Sequence, residues 1–133
     1  MANESGSYRE LTQGVSARLA TLRASTPDVM KSVSELGRTA MADGVLGKKT
    51  KELIALALGV AARCDPCIGY HAQALVKLGA SRQELDETLG VAVYMGGGPS
   101  LMYAASAIAA FAEFSVAAAA APVEVQPSTA DPR

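Results

Sequence analysis

An all-α fold is what this sequence predicts, and three observations carry the prediction. Apolar residues recur at helical spacing through most of the chain. The segments they mark out begin and end at cap and breaker residues. No alternating stretch reads as a strand. Half of the 133 residues are hydrophobic, so a sizeable core is available, and the length favours one domain. Only 5% are aromatic and Trp is absent, so alanine fills the core positions, which suits closely packed helices.

The elements follow in order. Met1 to Ser7 is small and polar and reads as disordered. From Tyr8 to Arg23 a helix places Leu11, Val15, Leu19 and Leu22 on one face. Thr26 can cap the second helix, and Pro27 fits its first position. That helix carries a stripe of Val29, Val33, Leu36 and Ala40, read as core, and should stop near Asp43-Gly44. Val45 and Leu46 make a short apolar contact before Gly47. Lys48 begins a third helix that is apolar on every side from Leu53 to Ala62, the mark of a buried central helix.

Asp65 is a good N-cap and Pro66 a good first residue for a fourth helix, from Pro66 to about Leu78. Its expected core stripe is Cys67, His71, Ala74, Leu75 and Leu78, and Gly79 ends it. Ser81 and Glu84 form a capping box that opens a fifth helix through Leu85, Leu89, Ala92 and Val93. Gly96-Gly97-Gly98 closes it. These glycines follow a helix and lack the P-loop lysine, so they permit a tight turn and do not cradle phosphate. A sixth helix runs from Ser100 to about Phe114. The foldable domain is thus residues 8–115, and 116–133, with three prolines, reads as a disordered tail.

Composition narrows the function. A net charge of −1 with mixed signs gives no reason to expect a nucleic-acid partner. Met1 to Glu10 lacks the apolar core of a signal peptide. No membrane span is expected, because Gly96 to Pro99 cuts the apolar stretch from Leu89 to Ala121 and Glu113 charges it, short of the roughly 18 uninterrupted apolar residues required. The reading is a cytoplasmic protein. There thiols stay reduced, and a close cysteine pair is more often catalytic or metal-binding than a structural staple.

That pair organises the chain. Cys64 and Cys67 are the only cysteines and His71 the only histidine, all close behind the third helix. Cysteines at this spacing at a helix start come within disulfide reach. At the second helical position Cys67 meets unpaired N–H groups and the positive end of the helix dipole, which favour its thiolate. His71, four residues on, shares its face and can exchange a proton with a thiol. If the third and fourth helices pack antiparallel, the Glu52 carboxylate could reach and orient the imidazole. Blander readings stand beside this one. The thiols could pack as small hydrophobes. A zinc site would find only three crowded ligands where structural sites use four. His71 could be a packed core histidine, and Glu52 a solvated carboxylate at a helix start.

The pattern K-T-K-E-L-I-A-L-A-x(6)-C-x-x-C-x-x-x-H, with A-V-Y-M-G-G-G-P-S-L-M-Y-A-A after it, resembles the alkylhydroperoxidase D and carboxymuconolactone decarboxylase superfamily from about Leu36 to Phe114. The resemblance implies a bundle of about six helices around a central helical hairpin, with protomers assembled as trimers or hexamers. It implies a thiol-dependent peroxidase or disulfide reductase with no bound cofactor. Cys67 would attack the peroxide and become a sulfenic acid. Cys64 would protonate the leaving group and then resolve the sulfenic acid as a disulfide. Glu52 and His71 would relay protons. An external dithiol, of lipoyl or thioredoxin type on a partner protein, would reduce the disulfide, and the enzyme could in turn reduce a peroxiredoxin.

One departure stands out. Alkylhydroperoxidase D members carry a histidine between the cysteines, next to the second, where this chain has Pro66. That shortens the relay. Two further readings follow: a redox-responsive oligomer without significant turnover, and a lactone decarboxylase using His71 and Glu52 for acid–base work. The decarboxylase branch typically lacks the C-x-x-C. Apolar surroundings from Leu53 to Ala62 lead us to expect organic hydroperoxides as the preferred substrates.

Overall fold

The structure, a computed structural model, describes residues 6–121. Six helices follow one another: α1 (Tyr8–Ser25), α2 (Pro27–Ala40), α3 (Lys48–Ala61), α4 (Asp65–Lys77), α5 (Arg82–Gly96) and α6 (Gly98–Ala120). There is no strand among the described residues. The all-α, six-helix reading therefore holds. Residues 1–5 and 122–133, most of the two stretches expected to be disordered, lie outside the described residues.

α3 and α4 form the central hairpin. They run antiparallel, since Glu52 early in α3 meets His71 in mid-α4, while Gly59 late in α3 meets Cys67 at the start of α4. α6 packs along α4 and also touches α3, and α5 closes against α3 and α6. Leu56 and Val60 of α3, Ile68 and Leu75 of α4 and Leu85 of α5 are fully buried between them. α6 contributes Ala104, Ala107 and Ala110, small enough to bring its backbone close, with Phe111 and Phe114 filling the space beyond.

α1 is pinned across α4 and α6. The Glu113 carboxylate on α6 accepts from the Ser7 hydroxyl and the Tyr8 N–H, both at 2.8 Å, placing a negative charge at the positive end of α1. The Tyr70 hydroxyl on α4 donates to the Thr12 carbonyl at 2.8 Å. Gly69 lets the two helices meet, because a Cβ there would lie 2.7 Å from Thr12 Cγ2. Gly69→Val should therefore destabilise the fold by about 2–3 kcal/mol through overpacking. Gly90→Ala, where an added Cβ meets nothing within 4 Å, should stabilise it by about 1 kcal/mol. Paired thermal melts check both, and an unchanged Gly69→Val melting temperature would contradict the close contact.

The turn chemistry matches expectation at Gly79, which has φ +74°, and at the Ser81–Glu84 capping box, where both reciprocal hydrogen bonds form. The box and the Lys49 ammonium together hold the Glu84 carboxyl below its usual range, the backbone bond to Ser81 contributing most.

Several expectations are corrected. Val45 and Leu46, expected to make an apolar contact before Gly47, are both exposed. α4 starts one residue early: Cys64 is the cap and Asp65 the first helical residue, because Arg63 at φ +56° turns the chain and leaves Cys64 extended. Pro66 then sits at the second position, where its missing N–H still costs no intrahelical bond. The buried face of α4 is Ile68, Gly69, Ala72 and Leu75; Cys67 and His71 are half-buried and Leu78 is exposed. α3 is not buried all round, since Ile54 and Leu58 are exposed. α2 has no buried residue, and Val29, Val33 and Leu36 face outward, because within this chain α2 packs only on α1. α6 continues past Phe114 to Ala120, through alanines, the best helix formers. At 23 residues it is long and apolar enough to cross a membrane by length and composition, though here it packs against α1, α3, α4 and α5.

Candidate active site

The four residues singled out in the sequence lie along the hairpin, the cysteines at its closed end and the Glu52–His71 pair further along it. The short turn from Ala62 to Cys64 joins α3 to α4, and its left-handed Arg63 aims Cys64 back over the start of α4. Cys64 and Cys67 are joined as a disulfide with Cα atoms 5.2 Å apart. The Cys67 N–H donates to Cys64 Sγ at 3.3 Å, so a sulfur occupies the place of a capping oxygen. Cys67 stands at the third position of α4. Both cysteines are half-buried and open to a small reactant.

Gly59 sets the depth of the site. A Cβ at that position would lie 3.2 Å from Cys67 Cβ, tighter than ordinary packing, so glycine allows α3 to approach the dithiol.

One turn beyond Cys67, His71 Nδ1 lies 2.6 Å from Glu52 Oε2. Glu52 is 7% exposed, one of three buried polar side chains among the described residues, and the His71 side chain is about a third exposed. A carboxylate this far from water needs a partner. The imidazole supplies it, and a short charge-assisted bond fixes the ring plane. With Nδ1 committed to Glu52, Nε2 is the nitrogen that can exchange a proton with the site. The antiparallel packing on which the Glu52 reading depended is thus present.

Sequence reasoning missed a buried polar atom at the α4 start. Asp65 Oδ1 is buried with no hydrogen-bond partner among the described residues. Burial raises the Tyr8 phenol above its ordinary 10.0, against the opposing Ser106 hydroxyl, and the negative charge of Asp65 adds to the rise. The signal available was Asp65 beside Pro66, which reads first as a cap. Among the described residues no three His, Cys, Asp or Glu side chains gather as a metal site.

Comparison with known proteins then places the chain. The sequence profile of the carboxymuconolactone decarboxylase family matches residues 27–121, which take in α2 to α6. The chain belongs to the carboxymuconolactone decarboxylase family. An uncharacterised protein of Cupriavidus necator is 36% identical over 97 residues, covering 73% of this chain and 86% of that protein. An uncharacterised protein of the cox locus of Paracoccus denitrificans is 35% identical over 78 residues, 59% of this chain and 70% of that one. The crystal structure of a carboxymuconolactone decarboxylase family protein from Legionella pneumophila, in its apo form, superposes with a TM-score of 0.80 at 57% identity. It covers 81% of this chain and 96% of that one. The helical fold is therefore that of the carboxymuconolactone decarboxylase family. Membership points to an enzyme, and this member carries a bonded C-x-x-C pair.

Proposed function

We propose that this carboxymuconolactone decarboxylase family member is a dithiol peroxidase and disulfide oxidoreductase that reduces hydroperoxides, organic ones in preference. The observation that supports it most is the Cys64–Cys67 pair at the N-terminus of α4, one helical turn from the hydrogen-bonded His71–Glu52 pair.

In the reduced protein the Cys67 thiolate attacks the outer peroxide oxygen. The O–O bond breaks, an S–O bond forms, and the alcohol leaves with a proton supplied by the Cys64 thiol or by His71. Cys67 is then a sulfenic acid. Cys64 attacks its sulfur, the S–S bond forms and water departs. Two electrons have passed from the dithiol to the peroxide. An external dithiol, of lipoyl or thioredoxin type on a donor protein, returns them by thiol–disulfide exchange. His71 holds the mobile proton at Nε2, and Glu52 keeps its ring oriented. No bound cofactor enters the cycle. A peroxiredoxin could also accept electrons from the reduced pair. We place the protein in the cytoplasm, where such donors are maintained, and as a trimer or hexamer.

The test is the intact mass of the reduced protein after one equivalent of cumene hydroperoxide. A loss of about 2 Da per chain, reversed by dihydrolipoamide, is expected for a cycling disulfide. An unchanged mass would mean that the thiols do not take electrons to peroxide, and the proposal would fail.

A further inference from the structure

The face of α4 that carries the dithiol holds two residues that the proton relay does not use. From Cys67 it runs through Tyr70 and His71 to Ala74, the i, i+3, i+4, i+7 spacing that stacks side chains over two turns. All four are half-buried, so this face is neither core nor free surface. Side chains on a helix lean toward its N-terminus, so Tyr70 and His71 both lean back toward Cys67. They stand on either side of it. At about 100° per residue, Tyr70 is about 60° round the helix one way and His71 about 40° the other. His71 is held from the α3 side by Glu52, and Tyr70 from the α1 side by Thr12 and Ser16.

The hydroxyl of Tyr70 decides what this residue can do. It donates to the Thr12 carbonyl at 2.8 Å. A phenol has one proton, so in the 2.5 Å contact with Ser16 the serine hydroxyl donates and Tyr70 accepts. The phenol has no proton left for a peroxide or a thiol. What Tyr70 offers the site is its ring, and two bonds to α1 fix where that ring lies. Ala74, one turn beyond Tyr70, is the smallest of the four and leaves room beside the ring.

We infer that the Tyr70 ring and Ala74 form the seat for the organic group of the hydroperoxide, and that the seat selects aryl hydroperoxides. The inference rests on the peroxidase reading above and names its substrate class. With the O–O group over Cys67 and the leaving oxygen toward His71, the organic group cannot lie on the α3 side. There the backbone at Gly59 packs on Cys67 and Glu52 holds the imidazole. The open side is the Tyr70 side. An aromatic group gains an offset-stacked or edge-to-face contact on the ring beyond the area it buries. The ring is already held in place by α1, so binding does not have to order it.

The experiment mixes the reduced full chain with cumene hydroperoxide or with hydrogen peroxide, the same reaction with and without an organic group. The quantity read is the ratio of the two rate constants for disulfide formation. Tyr70→Ala should lower that ratio about tenfold, the scale of a lost apolar contact in a specificity pocket. Tyr70→Phe keeps the ring and should keep most of the ratio. Ala74→Phe fills the seat from its other wall and should lower the ratio too. Wild-type protein oxidised by neither peroxide would overturn the peroxidase reading and the inference together. Wild-type protein oxidised by both, with the ratio unmoved in Tyr70→Ala or in Ala74→Phe, would overturn the inference alone. Equal slowing with both peroxides leaves the ratio unmoved, and would make Tyr70 only a tie between α4 and α1. A ratio as low in Tyr70→Phe as in Tyr70→Ala would trace the effect to the hydroxyl and overturn the inference as well. Should Tyr70→Ala fail to fold, the Tyr70→Phe and Ala74→Phe ratios still decide.

Discussion

Cys67→Ser should abolish hydroperoxide reduction, with a loss of about 10³-fold or more, because a serine hydroxyl at neutral pH is a far weaker nucleophile than a thiolate. Cys64→Ser should behave differently. One equivalent of peroxide is consumed, Cys67 is left as a sulfenic acid with no partner, and turnover stops there. A dimedone adduct on Cys67, seen by mass, would record that state. The substitution is mild for the fold, since Cys64 is the N-cap of α4 and serine is a preferred residue at that position. Helix loss therefore does not confuse the result. The double variant separates this chemistry from its rival. Acid–base catalysis by Glu52 and His71 alone does not need either sulfur, so a reaction that survives loss of both cysteines would replace the peroxidase reading with a decarboxylase-type one. Wild-type peroxide turnover in both single variants would remove the peroxidase outright.

Much of this site was legible because it is local. Cys64, Cys67 and His71 fall within one helix start, and a helix fixes the relative placement of residues four apart. Glu52 needed one further fact, the antiparallel return of α4 on α3. The three-residue turn from Ala62 to Cys64 makes that the economical arrangement. Caps were legible for the same reason: the Ser81–Glu84 box and the φ > 0 at Gly79 are decided by neighbours in sequence.

What escaped depends on what lies opposite. The stripes of α2 and the outer side of α3 are apolar in sequence, and periodicity says which residues share a face, not what covers it. Val29 and Leu58 read as core and are exposed in the chain. The true face of α4 was hidden for a related reason. Gly69 carries no hydrophobic signal, yet it is where α1 packs, and that contact rotates Ile68 and Leu75 inward and leaves His71 at the edge facing Glu52. The last turns of α6 were missed because small alanines near prolines read as a tail, while their helix propensity carries the helix on to Ala120.

Glu52→Gln should lower kcat/KM for hydroperoxide by about 10²-fold, the scale of a positioned acid–base group. The amide can still bond His71 Nδ1, so the ring is kept near its place, but the carboxylate is gone. The thiols themselves are untouched. Oxidation of the reduced protein by diamide, which needs only thiol–disulfide chemistry, should therefore proceed as in the wild type. That contrast distinguishes a proton relay from a general loss of structure, which would slow both reactions. A second comparison tests whether the pair works as a unit. If Glu52 acts only through His71, then His71→Asn with Glu52→Gln should be hardly slower than His71→Asn alone, since groups acting together are strongly non-additive. Additive losses would mean two separate contributions. Undiminished turnover in Glu52→Gln would reduce the 2.6 Å contact to a way of satisfying a buried carboxylate, and the relay would be left to His71 alone.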